Sequence, residues 1–361
     1  MLDSFSTFHA ILTVFVLVNL VAANINHIDD TDETYGYWEP LHYLVYGVGL
    51  QTWEYAPVFA IRTYSFIFPF SLISHLIVRL GISKLALFRL VKSLLGFVTA
   101  YSEANFVCAV KDRFGDEIGY TTMILILLSP GIFFSSTAYL PSAMCMSLLM
   151  LSNAAFLREK RIMSILWGCV AVLCTGWPFV GILFAPLGVH MVISVYHNAI
   201  AKKEGNTFVS GLIGIIVLAL HGVVIIAVIQ GLVMGIDYYF YNKWLVDYLV
   251  CLYSAYSWVM FRCTFIRTSP TLNILLYNAI GGSGDELYGT EPASYYVRNL
   301  FLNMSLAWPL ALMVPVVLLI WGILSKEARR AIASLEAGMG AVLLSQVLIW
   351  LLVLFSRPHK V

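Results

Sequence analysis

The chain has 361 residues, of which 60% are hydrophobic and only 11% charged, and its formal net charge is +1. With a mean hydropathy of +0.85, this composition excludes an ordinary soluble globular domain and predicts a polytopic membrane protein. So small a net charge offers no electrostatic case for a nucleic-acid partner. The sequence contains neither a G-x-x-x-x-G-K-[ST] phosphate loop nor a dinucleotide fingerprint, which argues against an ATP-driven pump.

A membrane-spanning helix needs about 20 apolar residues. In chain order, candidate spans fall near 8–25, 61–80, 88–108, 119–136, 139–157, 162–196, 207–233, 245–266, 299–323 and 331–356. The first lacks a basic stretch before it and many further spans follow, so it reads as a retained span rather than a cleaved signal. The run 162–196 is long enough for two spans, and Gly176-Trp177-Pro178 breaks it, because proline ends a helix and glycine tolerates the turn. Lys and Arg gather at Lys84 to Lys92, Lys111 to Arg113, Arg158 to Arg161, Lys202-Lys203 and Lys326 to Arg330. By the positive-inside rule these face the cytoplasm, whereas 26–60, which has no Lys or Arg, faces the opposite, lumenal side. That assignment puts basic residues at both ends of 88–108, so either 111–117 is lumenal or Ser102-Glu103 marks a re-entrant element. The six cysteines match no zinc spacing and read as small hydrophobes in apolar runs.

Six of the twenty Asp and Glu residues lie between Asn26 and Tyr64: Asp29, Asp30, Asp32, Glu33, Glu39 and Glu54. Carboxylates are costly in a bilayer, so this cluster lies outside the membrane or lines a polar cavity. Asp30, Asp32 and Glu33 stand close enough for burial or mutual repulsion to raise one pKa toward that of a general base. The same spacing also suits a solvated acidic loop. Tyr35, Tyr37, Trp38, Tyr43, Tyr46, Trp53 and Tyr55 follow, interleaved with Glu39, His42, Gln51 and Glu54. They fit an interfacial aromatic belt or a platform for stacking on sugar rings. Glu103, inside an apolar run, requires a polar partner.

The string DDTDETYGYWEPLHYLVYGVGLQTWEYAPVFAIRTYSF resembles the first lumenal loop of the endoplasmic-reticulum α-1,2-mannosyltransferases of asparagine-linked glycosylation, glycosyltransferase family 22. These belong to the dolichyl-phosphate-mannose-dependent transferases of the GT-C type. Further matching strings are SSTAYLPSAMCM (135–146), GWPF (176–179), LNILLYN (272–278), DELYGTEPASYY (285–296) and RPHK (357–360). The resemblance implies an all-α, GT-C-type helical bundle forming one multi-spanning membrane domain over 1–361. In it, 26–60 is the catalytic lumenal loop and 270–298 a second lumenal loop. It implies an inverting transferase that moves mannose from dolichyl phosphate mannose to a lipid-linked oligosaccharide at the endoplasmic-reticulum membrane, without cofactor or metal.

Residue by residue, the resemblance makes Asp32 the general base, with Glu33 beside it and Asp30 the earlier carboxylate of this branch. Arg62, His359 and Lys360 are candidates for the donor phosphate, where positive charge offsets the charge growing on the leaving group. Arg62 also suits a headgroup anchor at the start of a span. Trp38, Glu39, Trp53, Glu54, Tyr288 and Glu291 are candidates for contacts to the acceptor.

The chain departs from the family pattern in three places. Gly36 stands where the family has asparagine. Residues 244–269 form an atypical apolar insertion, which reads as re-entrant or interfacial, or as an error in the gene model, because a true span would move Tyr288 and Glu291 to the opposite side from Asp32. The family continues past P-H-K, so the C-terminal part is expected to be missing. Alternative readings are a GPI-anchor mannosyltransferase of the same family, a truncated inactive relative, and a polytopic transporter. Carboxylates in a loop rather than at mid-membrane count against the transporter.

Overall fold

The computed structural model describes residues 2–201, 207–242, 269–279, 291–325 and 335–356, and the regular structure among them is entirely helical. The protein is an all-α polytopic membrane protein, and six helices among the described residues are long and apolar enough to cross a bilayer. Many of their large hydrophobic side chains are exposed, as at Leu212, Ile213, Leu220, Val224 and Val228. That is the expected surface when the surrounding solvent is lipid.

Helix α1 (Leu2–Ile25) is followed by the short α2 (Thr31–Glu33), a π-helical turn at Thr34–Trp38 and α3 (Glu39–Tyr46). Next come α4 (Phe68–Val78) and α5 (Lys84–Phe114). Helices α6 (Asp116–Leu127), α7 (Pro130–Ser135), α8 (Pro141–Leu157) and α9 (Arg161–Cys169) follow. The last group is α10 (Gly181–Ala201), α11 (Thr207–Tyr241), α12 (Pro270–Ala279), α13 (Ser294–Met304), α14 (Ala307–Leu324) and α15 (Leu335–Ser356). Helix α5 packs against α1, α6 and α8, and α10 packs against α11 and α15.

Side-chain pairs show which helix ends lie together. At one end, Asn26 donates to the Phe133 carbonyl at 3.1 Å, Ser65 Oγ donates to the Cys174 carbonyl at 2.7 Å, and Thr63 bonds Asp237 of α11. At the other end, Lys111 pairs with Asp116, Arg113 with Glu159 and Arg158 with Asp112. The acid loop therefore shares one end of the bundle with the starts of α5 and α8 and the end of α11. Arg113 and Arg158 mark the far end.

This arrangement corrects the topology expected from charge. Lys84 bonds His42 of the acid loop at 3.0 Å and Lys92 donates to the Asn26 carbonyl, so the Lys84 to Lys92 stretch lies at the acid-loop end. The conflict around 88–108 disappears because 61–80 is not a span. Residues 61–67 are buried and non-helical, and α4 has only 11 residues, about 17 Å at 1.5 Å per residue. The backbone at 59–64 is bonded by side chains from other elements instead of by its own helical ladder. Helix α5 then crosses once, without re-entering at Ser102-Glu103. Glu103 is buried and paired with Asn19 at 2.9 Å.

Two other expected spans are interrupted. The run 119–136 breaks before Pro130, which starts α7, and 299–323 breaks at Ser305, whose φ is +48°. The Gly176-Trp177-Pro178 break occurs as expected. Gly176 has φ +67°, and a Cβ there would lie 2.5 Å from Thr63 Cγ2. Only glycine satisfies both the left-handed backbone and that close approach.

Candidate functional site

The start of the acid loop is shaped by a cap. Asp30 has extended backbone, and its Oδ1 accepts the Asp32 amide at 2.7 Å, starting the helical run that continues through the π turn into α3. Pro40 sits at the start of α3, and Gly47, at φ +72°, ends it. Successive residues on a helix point about 100° apart, so adjacent Asp32 and Glu33 face opposite surroundings. Asp32 has 70% of its side chain exposed, whereas Glu33 is buried on the face carrying Gly36 and Tyr37.

Glu33 Oε1 accepts two N–H groups at 2.9 Å, from the Trp38 indole and from the Tyr139 backbone. Burial pushes the Glu33 pKa up, although those two bonds and the nearby Lys92 ammonium oppose the shift. The π turn lets Trp38 reach back five residues to Glu33 while its ring packs on Phe88 and Tyr139.

Arg62 is the hub of the second layer. Its Nε donates to Glu54 Oε2 at 3.1 Å and its Nη2 lies 3.1 Å from Glu54 Oε1, a two-pronged pair. Nη1 donates to the Tyr37 hydroxyl, and Nη2 reaches Asp32 Oδ2 at 3.4 Å. The Arg62 side chain is 9% exposed. Burial pulls its pKa down, but Tyr37 and Glu54 more than offset this, so the guanidinium stays charged with a pKa above its ordinary value. Tyr37 is held neutral, its pKa raised by burial against the lowering effect of Arg62.

The segment carrying Arg62 is fixed by groups distant in sequence. The Asp237 carboxylate accepts the Tyr64 amide at 2.8 Å and the Thr63 hydroxyl at 2.9 Å. Tyr241 Oη donates to the Arg62 carbonyl at 2.5 Å, and Asn273 Nδ2 donates to the Phe59 and Ala60 carbonyls at 3.3 and 3.0 Å. The strings around 26–64, 135–146, 176–179 and 272–278 thus converge on one end of the bundle. Tyr241 and Asn273 flank the insertion 244–269, and both contact this segment. Apart from Ser269, that insertion lies outside the described residues, as do Tyr288, His359 and Lys360.

The remaining candidates divide between scaffold and surface. Glu39 Oε2 accepts the Leu50 amide at 3.1 Å, and Glu54 is occupied by Arg62. With Trp38 bound to Glu33, these three hold the loop's shape. Trp53 is 44% exposed, with Tyr277 and Phe59 against its ring, and Glu291 is exposed. Lys92, Tyr139, Asp237, Tyr241 and Asn273, all at this end, carry no role from sequence. Asp237 had a readable signal, a carboxylate in an apolar run, which is the same cost that singles out Glu103.

The model of the Alg9-like mannosyltransferase family matches residues 10–360. The chain belongs to this family. Among curated relatives, it is 32% identical to the alpha-1,2-mannosyltransferase ALG9 of Arabidopsis thaliana over 345 residues, covering 94% of this chain and 50% of that protein. It is also 32% identical to the human protein of that name over 342 residues, covering 94% and 49%. With the Saccharomyces cerevisiae protein of that name the identity is 29% over 365 residues, covering 98% and 55%. This Alg9-like chain spans about half the length of those curated relatives. No solved structure matches it.

Proposed function

We propose that this Alg9-like chain carries the catalytic loop of an inverting α-1,2-mannosyltransferase. The reaction takes mannose from dolichyl phosphate mannose to a lipid-linked oligosaccharide at the lumenal face of the endoplasmic-reticulum membrane. Family membership supports the reaction class. The observation that carries the site assignment is that Asp32 is exposed at the loop surface while a buried, fully engaged Arg62 stands 3.4 Å behind it.

In this reading Asp32 removes the proton from the acceptor hydroxyl as its oxygen attacks the anomeric carbon. The carbon–oxygen bond to phosphate breaks on the opposite face and its electron pair leaves with dolichyl phosphate, so the anomeric configuration inverts. Asp30 fixes the Asp32 backbone through its cap. Glu33 anchors the loop to Tyr139 and Trp38. Arg62 has its donors committed to Glu54, Tyr37 and Asp32, so we assign it to orienting Asp32 rather than to binding phosphate. His359 and Lys360 remain the groups proposed for the leaving phosphate. Trp53, Tyr288 and Glu291 are proposed to meet the acceptor.

The test is Asp32→Asn in a cell lacking its endogenous transferase, scored by the size of the lipid-linked oligosaccharide. Proton removal by a positioned carboxylate contributes about 10²–10⁴-fold, so the variant should accumulate in the membrane but leave the oligosaccharide short. Wild-type extension by Asp32→Asn removes Asp32 as the base. Extension of a GPI precursor by the parent chain, with no change in the oligosaccharide, assigns the other acceptor class.

A further inference from the structure

At the far end of the bundle, α9, α10 and α11 line an open cleft of ≈ 590 Å³. Its rim carries Glu159, Lys160, Arg161 and His221, and its wall includes Val217 and Leu218. The basic groups here differ from their neighbours. Lys111, Arg113 and Arg158 each have a carboxylate within 4 Å, and Glu159 is drawn to Arg113 at 3.2 Å. Neither Lys160 nor Arg161 has an acidic partner among the described residues. Arg161 Nη2 instead donates to Ser194 Oγ at 3.0 Å, which fixes the guanidinium beside the cleft. His221 Nδ1 is bonded to the Val217 carbonyl at 2.7 Å.

The depth of the cleft says what anion can reach it. His221 is sixteen residues along α11 from Asp237 at the acid-loop end, about 24 Å at 1.5 Å per residue. Helix α11 continues past His221 toward Thr207 with exposed Phe208, Leu212, Ile213 and Ile216. Exposed apolar side chains therefore continue past the rim on both sides along α11. Lys160 is exposed and Arg161 half-buried at the turn that starts α9, so both can meet an anion at the headgroup level. A soluble anion has no apolar part to lie along this wall, whereas a lipid brings its phosphate and acyl chains together.

We propose that this cleft binds the phosphate headgroup of an anionic membrane phospholipid in the leaflet opposite the acid loop. Lys160 and Arg161 contact the phosphate, and an acyl chain lies along Val217 and Leu218. The site is remote from Asp32, and its existence does not depend on the mannosyltransferase reading.

The test is native mass spectrometry of the full chain in detergent with three probes: dioleoyl phosphatidic acid, dioleoyl phosphatidylcholine and glycerol 3-phosphate. Phosphatidic acid should be retained at least about ten-fold more tightly than phosphatidylcholine, in line with the contribution of each basic residue near anionic lipid. Glycerol 3-phosphate should not displace it. The double variant Lys160→Gln/Arg161→Gln should lose that preference. Arg161→Lys should retain most of it, and Lys84→Gln at the acid-loop end should leave it unchanged. Equal retention of the two lipids by the parent chain overturns the proposal, as does unchanged phosphatidic acid binding by the double variant. Displacement by glycerol 3-phosphate assigns the cleft to a soluble anion and overturns the lipid assignment. Should the double variant fail to accumulate, the competition experiment on the parent chain still decides.

Discussion

The Arg62 hub makes a quantitative demand. Arg62 meets Glu54 through two contacts of 3.1 Å, with the two side chains only 9% and 20% exposed. It meets Asp32 through one contact of 3.4 Å, with the Asp32 side chain 70% exposed. Removing one partner of a buried pair costs roughly 3–5 kcal/mol, and the partial exposure of Glu54 places this pair near the low end, about 3 kcal/mol. A contact as exposed as that to Asp32 is worth under about 0.5 kcal/mol. Double-mutant cycles of Arg62→Met with Glu54→Gln and with Asp32→Asn should therefore separate widely. In detergent, SDS-titrated unfolding should give a coupling of about 2–3 kcal/mol for the first pair, since most of the cost is shared, and near zero for the second. In transfer the order reverses in kind. Asp32→Asn abolishes activity without loss of fold, while Glu54→Gln slows transfer through the loosened Arg62. Equal couplings for the two pairs, or a value below about 0.5 kcal/mol for Arg62 with Glu54, would refute the assignment of Arg62 as a structural hub.

Glu33→Gln keeps the oxygen that accepts from Trp38 and Tyr139, so it should fold, whereas Glu33→Ala should lose about 1–3 kcal/mol for each donor left unsatisfied. Because burial raises the Glu33 pKa above its ordinary 4.5, the folded state binds this proton more tightly than the unfolded chain. Stability from this group should fall as pH rises above about 4.5, and Glu33→Gln should flatten that part of a thermal-unfolding pH profile; an unchanged slope would locate the titration elsewhere. Gly176→Ala should destabilise by about 1–3 kcal/mol through its left-handed backbone and the close Thr63 methyl, read as a lower unfolding midpoint, and wild-type stability would show that the backbone there relaxes freely. Glycosylation acceptors inserted near Asn26 and near Glu291 should be modified together, because Asn26 bonds Phe133 of α7 and α13, which follows Glu291, packs against that same helix, and modification of only one would break the shared-site reading.

What the sequence displayed of this protein, and what it hid, follows from where each signal is encoded. Apolar length marked α1, α10, α11 and α15 because a lipid-facing helix needs little besides hydropathy. It failed at 61–80, where the residues are as apolar as a span but the backbone at 59–64 is bonded by Asp237, Tyr241 and Asn273. Those partners lie 173 or more residues away, and no local window contains them. The positive-inside rule failed at Lys92 for a related reason. It counts charges as solvated, yet Lys92 is 2% exposed and its ammonium binds the Asn26 carbonyl. The acid cluster was visible as a cluster, but the division of labour within it was not. Asp32 and Glu33 are adjacent carboxylates whose roles diverge because helical geometry turns one to solvent and the other onto Tyr139. The same logic explains Gly36. Its carbonyl accepts the buried Tyr55 hydroxyl at 2.7 Å, and a Cβ there would lie 3.9 Å from the Arg62 guanidinium. A side chain longer than one carbon at position 36 would extend from that Cβ beside the hub. The size of the residue at position 36 thus bears on the setting of Arg62.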